Sequence, residues 1–63
     1  MNGIDEHDLR VDVFTSGVGT KPHVRIVHLP TGLVAQCGTE RSQLRAKAIC
    51  LAELEAKLAE HNA

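Results

Sequence analysis

The chain has 63 residues, enough for one small domain that buries only about 60% of its unfolded surface. With one Phe and no Tyr or Trp, its core must be built from aliphatic side chains, and self-association or a partner would add buried surface. A net charge of −1 at pH 7 and a pI of about 6.4 are unlike a dedicated nucleic-acid-binding domain, whose pI usually exceeds about 9.

The sequence contains neither a secretory signal nor a membrane-spanning run. The first eight residues are polar, and no stretch approaches the roughly 18 consecutive apolar residues that a membrane span needs. We therefore expect a cytoplasmic protein. In a reducing compartment Cys37 and Cys50 are expected to be buried free thiols rather than a disulfide.

The first predicted elements are a flexible lead-in over residues 1–8 and a strand over about 9–15. From Leu9 onward apolar and charged residues alternate, which is typical of a half-buried strand. Phe14 falls on the polar face of this strand. If Val27 shares that face, the two residues form a small apolar patch, and they are our candidates for a protein interface.

Two further strands are predicted over about 24–29 and 33–37, joined by a tight turn. Pro30 presets the backbone for a reversal, and Gly32 accepts the positive φ that usually follows. Two apolar runs joined in this way indicate an antiparallel hairpin.

The remainder of the chain predicts one helix over about 42–61. Ser42 is a suitable N-cap, and the Ala-rich run that follows has high helix propensity. Leu44, Leu51 and Leu58 recur every seven residues with Ala48 and Leu54 between them, so this stripe is expected to pack on the sheet, while a coiled coil is the alternative. The predicted fold class is α+β: a three-stranded antiparallel sheet packed by one C-terminal helix, in a single domain over residues 9–61.

Several common functional sites find little support in the sequence. Gly17, Gly19 and Lys21 could suggest a phosphate-binding loop, but the full spacing and a following helix are missing. The histidines and cysteines have no metal-ligand spacing, and no motif places a nucleophile beside a base. We expect no metal, no cofactor, no catalytic residue and no small-molecule substrate.

Three segments in order resemble one known family. They are Asp8-Leu9-Arg10-Val11-Asp12-Val13-Phe14 with Ser16-Gly17-Val18-Gly19; Val24-Arg25-Ile26-Val27-His28-Leu29-Pro30-Thr31-Gly32; and Glu40-Arg41-Ser42-Gln43 with Arg45-Ala46-Lys47-Ala48. Together they resemble the catalytic domain of bacterial class I peptide chain release factors and the related ribosome-rescue hydrolases.

The resemblance implies a scaffold without its chemistry. In that family a Gly-Gly-Gln loop enters the ribosomal peptidyl transferase centre and promotes hydrolysis of the peptidyl-tRNA ester. Here Gly19-Thr20-Lys21 stands at that place, so the second glycine and the glutamine are missing, as is the segment that leads to the next strand. The expected consequence is a domain that is not an enzyme.

The leading hypothesis is a non-catalytic, release-factor-like module that contacts the ribosome or ribosomal RNA and modulates termination or rescue. Residues 21–47 are basic between acidic ends, and phosphate contacts need charge rather than a motif. The candidate contacts are Lys21, Arg25, Arg41, Arg45 and Lys47. The alternative is a small protein-binding domain or homodimer that has reused the fold and does not bind RNA.

Overall fold

A computed structural model describes residues 4–15, 17, 19 and 21–61. The three strands are β1 Leu9–Phe14, β2 His23–His28 and β3 Leu33–Cys37, and the helix α1 is Gln43–His61. The α+β class and the order of the elements are confirmed, and each boundary lies close to its prediction.

The strands form one antiparallel sheet in the order β1-β2-β3. In β1, Val11 lies opposite Ile26, and Ile26 lies opposite Ala35 of β3. Alternate residues of the strands therefore share the face that meets the helix. The opposite face, called the outer face below, holds Arg10, Asp12, Phe14, His23, Arg25, Val27, Val34 and Gln36.

The hairpin between β2 and β3 has the predicted turn chemistry. Gly32 has a φ of +76°, and its N–H donates to the carbonyl of His28 at 2.7 Å. The hydroxyl of Thr31 lies 2.9 Å from Nδ1 of the buried His28 and accepts from the N–H of Leu33 at 3.3 Å. The turn thus also provides a hydrogen-bond partner for the imidazole of a histidine at the margin of the core.

The helix packs on the sheet through a stripe that matches the predicted one in part: Leu54 and Leu58 are buried and Leu51 packs against the core, as expected. The buried residues of α1 are Ala46, Cys50, Leu54 and Leu58, spaced four apart. Leu44, expected in the seam, is 81% exposed, and Ala48 is also exposed. The small side chains of Ala46 and Cys50 explain the difference, because they let the helix backbone lie close to the strands.

The core lies between α1 and only two of the strands. Val24 and Ile26 of β2 and Ala35 of β3 are 0–1% exposed beneath the helix. Contacts of α1 are concentrated on β2 and β3. The apolar residues of β1 that share this face are covered much less, and Val11 and Val13 are each 39% exposed.

The expected lead-in contains ordered structure over its described part. Residues Glu6–Asp8 form a 3-10 turn, and the Asp5 side chain accepts from the N–H of His7. Ile4 packs against the core, and the carbonyl of Asp8 accepts from Leu29. The packing of Ile4 and this hydrogen bond connect residues 4–8 to the sheet. A lead-in without contacts was expected here. The flexibility of the lead-in stays a prediction.

Within the described ranges, α1 is the only helix long enough to be considered as a membrane span. It is too polar to cross a bilayer.

Candidate functional site

One end of the sheet gathers the segments that the sequence singled out. Because the strands are antiparallel, the end of β1 at Phe14, the start of β2 at His23 and the end of β3 at Cys37 lie together. The β1–β2 loop and the segment 38–42 that leads into α1 leave from this end, called the loop end below. Ser16, Val18 and Thr20 of the loop lie outside the described residues.

A small aromatic and polar cluster occupies the outer face at the loop end. The rings of Phe14 and His23 are tilted at 42° with centroids 6.4 Å apart. Nε2 of His23 lies 2.9 Å from Oε1 of Gln36, so the tautomer protonated on Nε2 donates to the amide oxygen. A Cβ on Gly38 would lie 2.8 Å from Nδ1 of His23, so the missing side chain of Gly38 makes room for the imidazole.

Three of the candidate cations lie near this end. Lys21 lies two residues before β2, Arg41 lies in the segment before α1, and Arg45 is in the first turn of the helix. Arg45 Nε is 3.7 Å from Glu40 Oε1, so part of its charge is balanced locally. Within the described residues Lys21 and Arg41 have no acidic side chain within ion-pair distance.

The other two candidate cations lie on opposite sides of the sheet. Arg25 is exposed in the middle of β2 on the outer face, between Asp12 and Gln36. Lys47 projects from α1 into the wall of a groove on the other face. The five candidates therefore do not form one flat surface, and the loop end holds Lys21, Arg41 and Arg45.

The expected apolar patch of Phe14 and Val27 is not contiguous. Both residues lie on the outer face, but Phe14 pairs with His23 at one end whereas Val27 pairs with Arg10 near the other. Four residues along a strand correspond to about 13 Å. Phe14 is 54% exposed, and Val27 is half-buried. A shared interface would have to span the charged row of Asp12 and Arg25 between them.

The cysteines are core residues in the structure. Both are free and buried, and the Cys50 thiol donates to the carbonyl of Ala35 at 3.0 Å. Burial raises the pKa of the Cys50 thiol above its ordinary value of 9.0. A protonated, enclosed thiol is a poor nucleophile. In the described part of the chain, moreover, His, Cys, Asp and Glu side chains do not assemble in threes as metal ligands.

The arrangement at the loop end can bind anions through charge and hydrogen-bond donors. Unpaired Lys and Arg side chains attract phosphate without needing a deep pocket. The sequence identified these cations, but it missed His23 and its contact with Gly38. The available signal was a glycine directly after β3, where a strand-ending glycine can mark close approach of a side chain.

Comparison with known proteins agrees with this architecture. The family model described as the RF-1 domain matches residues 2–63. Peptide chain release factor 2 of Frankia casuarinae is 52% identical over 64 residues, covering 90% of this chain and 18% of the relative. Peptide chain release factor 1 of Mycobacterium avium is 55% identical over 62 residues, covering 87% of this chain and 17% of the relative.

The same likeness extends to peptide chain release factor 1 of Mycobacterium tuberculosis, at 53% identity over 62 residues. The chain spans less than a fifth of the length of each of these relatives. The likeness therefore concerns one domain of the larger proteins. Because the family model covers nearly every residue, the chain belongs to the RF-1 domain family.

Proposed function

We propose that this chain is a release-factor-type domain that binds the ribosome through ribosomal RNA and does not hydrolyse peptidyl-tRNA. Its relatives are peptide chain release factors, and the resemblance implies a ribosomal partner. The observation that carries the proposal is the combination of a retained scaffold with a changed loop. Gly19-Thr20-Lys21 stands where the family carries Gly-Gly-Gln.

The charge distribution supports an RNA contact at the loop end. Arg10, Arg45 and Lys57 each lie within 4 Å of a carboxylate, at 3.5, 3.7 and 3.6 Å respectively. Lys21, Arg25, Arg41 and Lys47 have no such partner among the described residues, and of these four Lys21 and Arg41 lie at the loop end, where their charge is available for phosphate. Lys21 belongs to the β1–β2 loop and Arg41 to the segment before α1, and both segments leave the sheet at the loop end. An overall pI near neutral is compatible with this local concentration of charge.

The loop supports the absence of catalysis. Ester hydrolysis in the family depends on groups of the Gly-Gly-Gln loop that act on a ribosome-bound substrate. The described glycines of this loop, Gly17 and Gly19, have φ of +102° and +82°, so the loop retains glycine-dependent turns. The glutamine side chain is absent from the sequence of the loop. We therefore propose that the loop end binds without activating water.

Cosedimentation of the chain with ribosomes across a salt series tests the RNA contact. Association is expected at low salt and is expected to weaken as salt displaces the contacts with phosphate. Arg41→Gln removes one proposed phosphate contact and should lower the salt slope by about 0.7 to 0.9. Lys57→Gln is the matched control, because it removes one charge from the last third of α1 and keeps a donor for the carbonyl of Val34.

Three results would contradict the proposal. If the chain stays in the supernatant at the lowest salt, it does not bind the ribosome. If Arg41→Gln and Lys57→Gln change the salt slope equally, the loop end is not the contact. Release of peptide from programmed ribosomes by the chain alone would overturn the non-catalytic part, even if binding is confirmed.

A further inference from the structure

Among the described residues, backbone groups at the β1 edge of the sheet have no hydrogen-bond partner. The N–H of Leu29 donates to the carbonyl of Asp8 at 2.7 Å, which continues the β1–β2 ladder by one pair. In an antiparallel pair every second residue of a strand hydrogen-bonds to its neighbour strand. Because Asp8 is one of these residues in β1, the backbone N–H and C=O groups of Arg10, Asp12 and Phe14 also point to β2. Leu9, Val11 and Val13 therefore direct theirs to the open edge. The N–H of Leu9 already donates to the carbonyl of Glu6.

The side chains of the same residues form an apolar row that α1 leaves uncovered. Val11 and Val13 are each 39% exposed, and Leu9 is half-buried. Beside the row lies a groove of about 160 Å³ between β1 and α1, lined by Glu6, Leu9, Val11, Ile26, Lys47 and Leu51. A free strand edge next to an exposed apolar row is a template for another strand.

The outer face of β1 supplies complementary charges. Arg10 and Asp12 are the two charged residues of the strand, and Arg10 Nε lies 3.5 Å from Asp12 Oδ2. Their side chains point away from the helix and pair with each other in one chain, so a strand placed alongside would exchange this pair for cross-strand pairs. Residues directly opposite each other in an antiparallel pair lie on the same face, and opposite charges there are favourable.

We propose that β1 pairs antiparallel with β1 of a second copy of this chain, with Val11 opposite Val11 on the twofold axis. Arg10 of each copy then lies opposite Asp12 of the other. The two Val11 residues exchange N–H···O bonds, and each Val13 N–H donates to the carbonyl of Leu9 in the other copy. The apolar row becomes continuous, with Leu9 of each copy against Val13 of the other.

Charge selects this register over its neighbours. A shift that places Asp12 opposite Asp12 juxtaposes like charges, and a shift in the other direction places Arg10 opposite Arg10. A strand from an unrelated protein could use the same hydrogen bonds, but the alternation of Arg and Asp about Val11 is complementary to itself. The resulting isologous pair joins two sheets into one of six strands. This inference does not depend on ribosome binding.

Sedimentation equilibrium of the chain over a range of concentrations tests the pairing. A reversible monomer–dimer equilibrium is expected. Val11→Pro removes an N–H that has no partner among the described residues of one chain, and should yield a folded monomer, with folding checked by circular dichroism. Val34→Pro is the matched control, because it places proline at an outward position of the other edge strand. It should remain dimeric.

A charge swap tests the register itself. Arg10→Asp places acidic residues opposite each other and should weaken the dimer about tenfold or more. The double variant Arg10→Asp/Asp12→Arg restores both cross-strand pairs in this register and should restore the dimer. Arg41→Asp makes the same change of charge away from β1 and should leave the dimer unchanged.

Three experimental results would contradict the proposed pairing. A wild-type chain that stays monomeric at all concentrations overturns it. A dimer that survives Val11→Pro in folded form uses another surface, which also overturns it. A dimer that is lost in Arg10→Asp and not recovered in the double variant contradicts the register.

Discussion

The two edges of the sheet are protected to very different degrees. At β3, Nζ of Lys57 donates to the outward carbonyl of Val34 at 2.7 Å, and α1 covers the apolar face of the strand. At β1, the corresponding outward groups of Val11 and Val13 have no partner within the described residues, and both side chains are partly exposed. One helix covers about two strands, so the third strand is left without a second layer.

This difference shows how a small α+β domain distributes its stability. An α-helix with its side chains is about 10 to 12 Å wide and neighbouring strands lie about 4.8 Å apart, so a single helix cannot cover all three strands. The helix lies where small residues, Ala46 and Cys50, allow close contact with Ala35 and Val24. The stable part of the molecule is therefore β2, β3 and α1, and β1 is the part available to partners.

The largest expected effect is the difference in unfolding free energy between a substitution in the core and one in the apolar row of β1. Leu54 is fully buried, so Leu54→Ala should lower the free energy of unfolding by about 2 to 5 kcal/mol. In a domain of this size that loss approaches the whole contribution of the core. Val11→Ala should cost less than about 1 kcal/mol, because much of its side chain is already exposed. Urea denaturation at low protein concentration compares the two variants; equal losses would contradict the difference between the edges.

The next effect concerns the protection of the β3 edge. Lys57→Met keeps the length of the side chain but removes both the donor to Val34 and the ion pair with Glu53, and should cost about 0.5 to 1.5 kcal/mol of unfolding free energy. Lys47→Met is the control, since Lys47 makes no hydrogen bond or ion pair with another described residue. Thermal denaturation of both variants measures the difference. If the two melt at the same temperature, Lys57 does not stabilise this edge.

A smaller effect is expected from the Cys50 thiol beneath the helix. Its folded-state pKa is raised by burial, so above about pH 9 the unfolded chain releases a proton that the folded chain retains. The stabilisation is therefore complete below the unfolded-state pKa and is lost as pH rises through the folded-state pKa. Urea midpoints between pH 7 and 10 should fall at the alkaline end. Cys50→Ala should reduce this slope, and an unchanged slope would assign the titration to another group.

The last prediction concerns amide hydrogen–deuterium exchange, which needs no mutation. In dilute solution the outward amide of Val11 should exchange with deuterium much faster than the inward amide of Ala35, which belongs to the β2–β3 ladder. At higher concentration the Val11 amide should become protected if β1 pairs with β1. Exchange at Val11 that is slow at every concentration would show that the edge is covered within one chain.

The sequence predicted the elements because their local signals are strong. Alternation over β1, the turn at Pro30 and Gly32, and the Ala-rich run of α1 each depend on neighbouring residues. The helix stripe was predicted around Leu44, Leu51 and Leu58 because leucines dominate an apolar pattern. The structure confirms Leu54 and Leu58 but buries Ala46 and Cys50 in place of Leu44 and Ala48, since the depth of contact with a sheet is decided by packing that no local pattern records.

The candidate site was only partly predictable for a similar reason. The sequence shows that the middle of the chain is basic, but the face on which each cation lies depends on strand register. Arg25 and Lys47 proved to lie on opposite sides of the sheet, whereas Lys21 and Arg41 share the loop end. The exposure of the apolar row of β1 could not be inferred, because it depends on where the helix crosses the sheet.

The central functional claim is retention of the scaffold with ribosome binding and without hydrolysis. It is tested most directly by adding the chain to ribosomes that carry peptidyl-tRNA and measuring, in the same low-salt reaction, the chain in the ribosome pellet and the peptide released. We expect the chain to sediment with the ribosomes and the peptide to stay attached to tRNA. A chain that remains in the supernatant, or a peptide that is released, would contradict it.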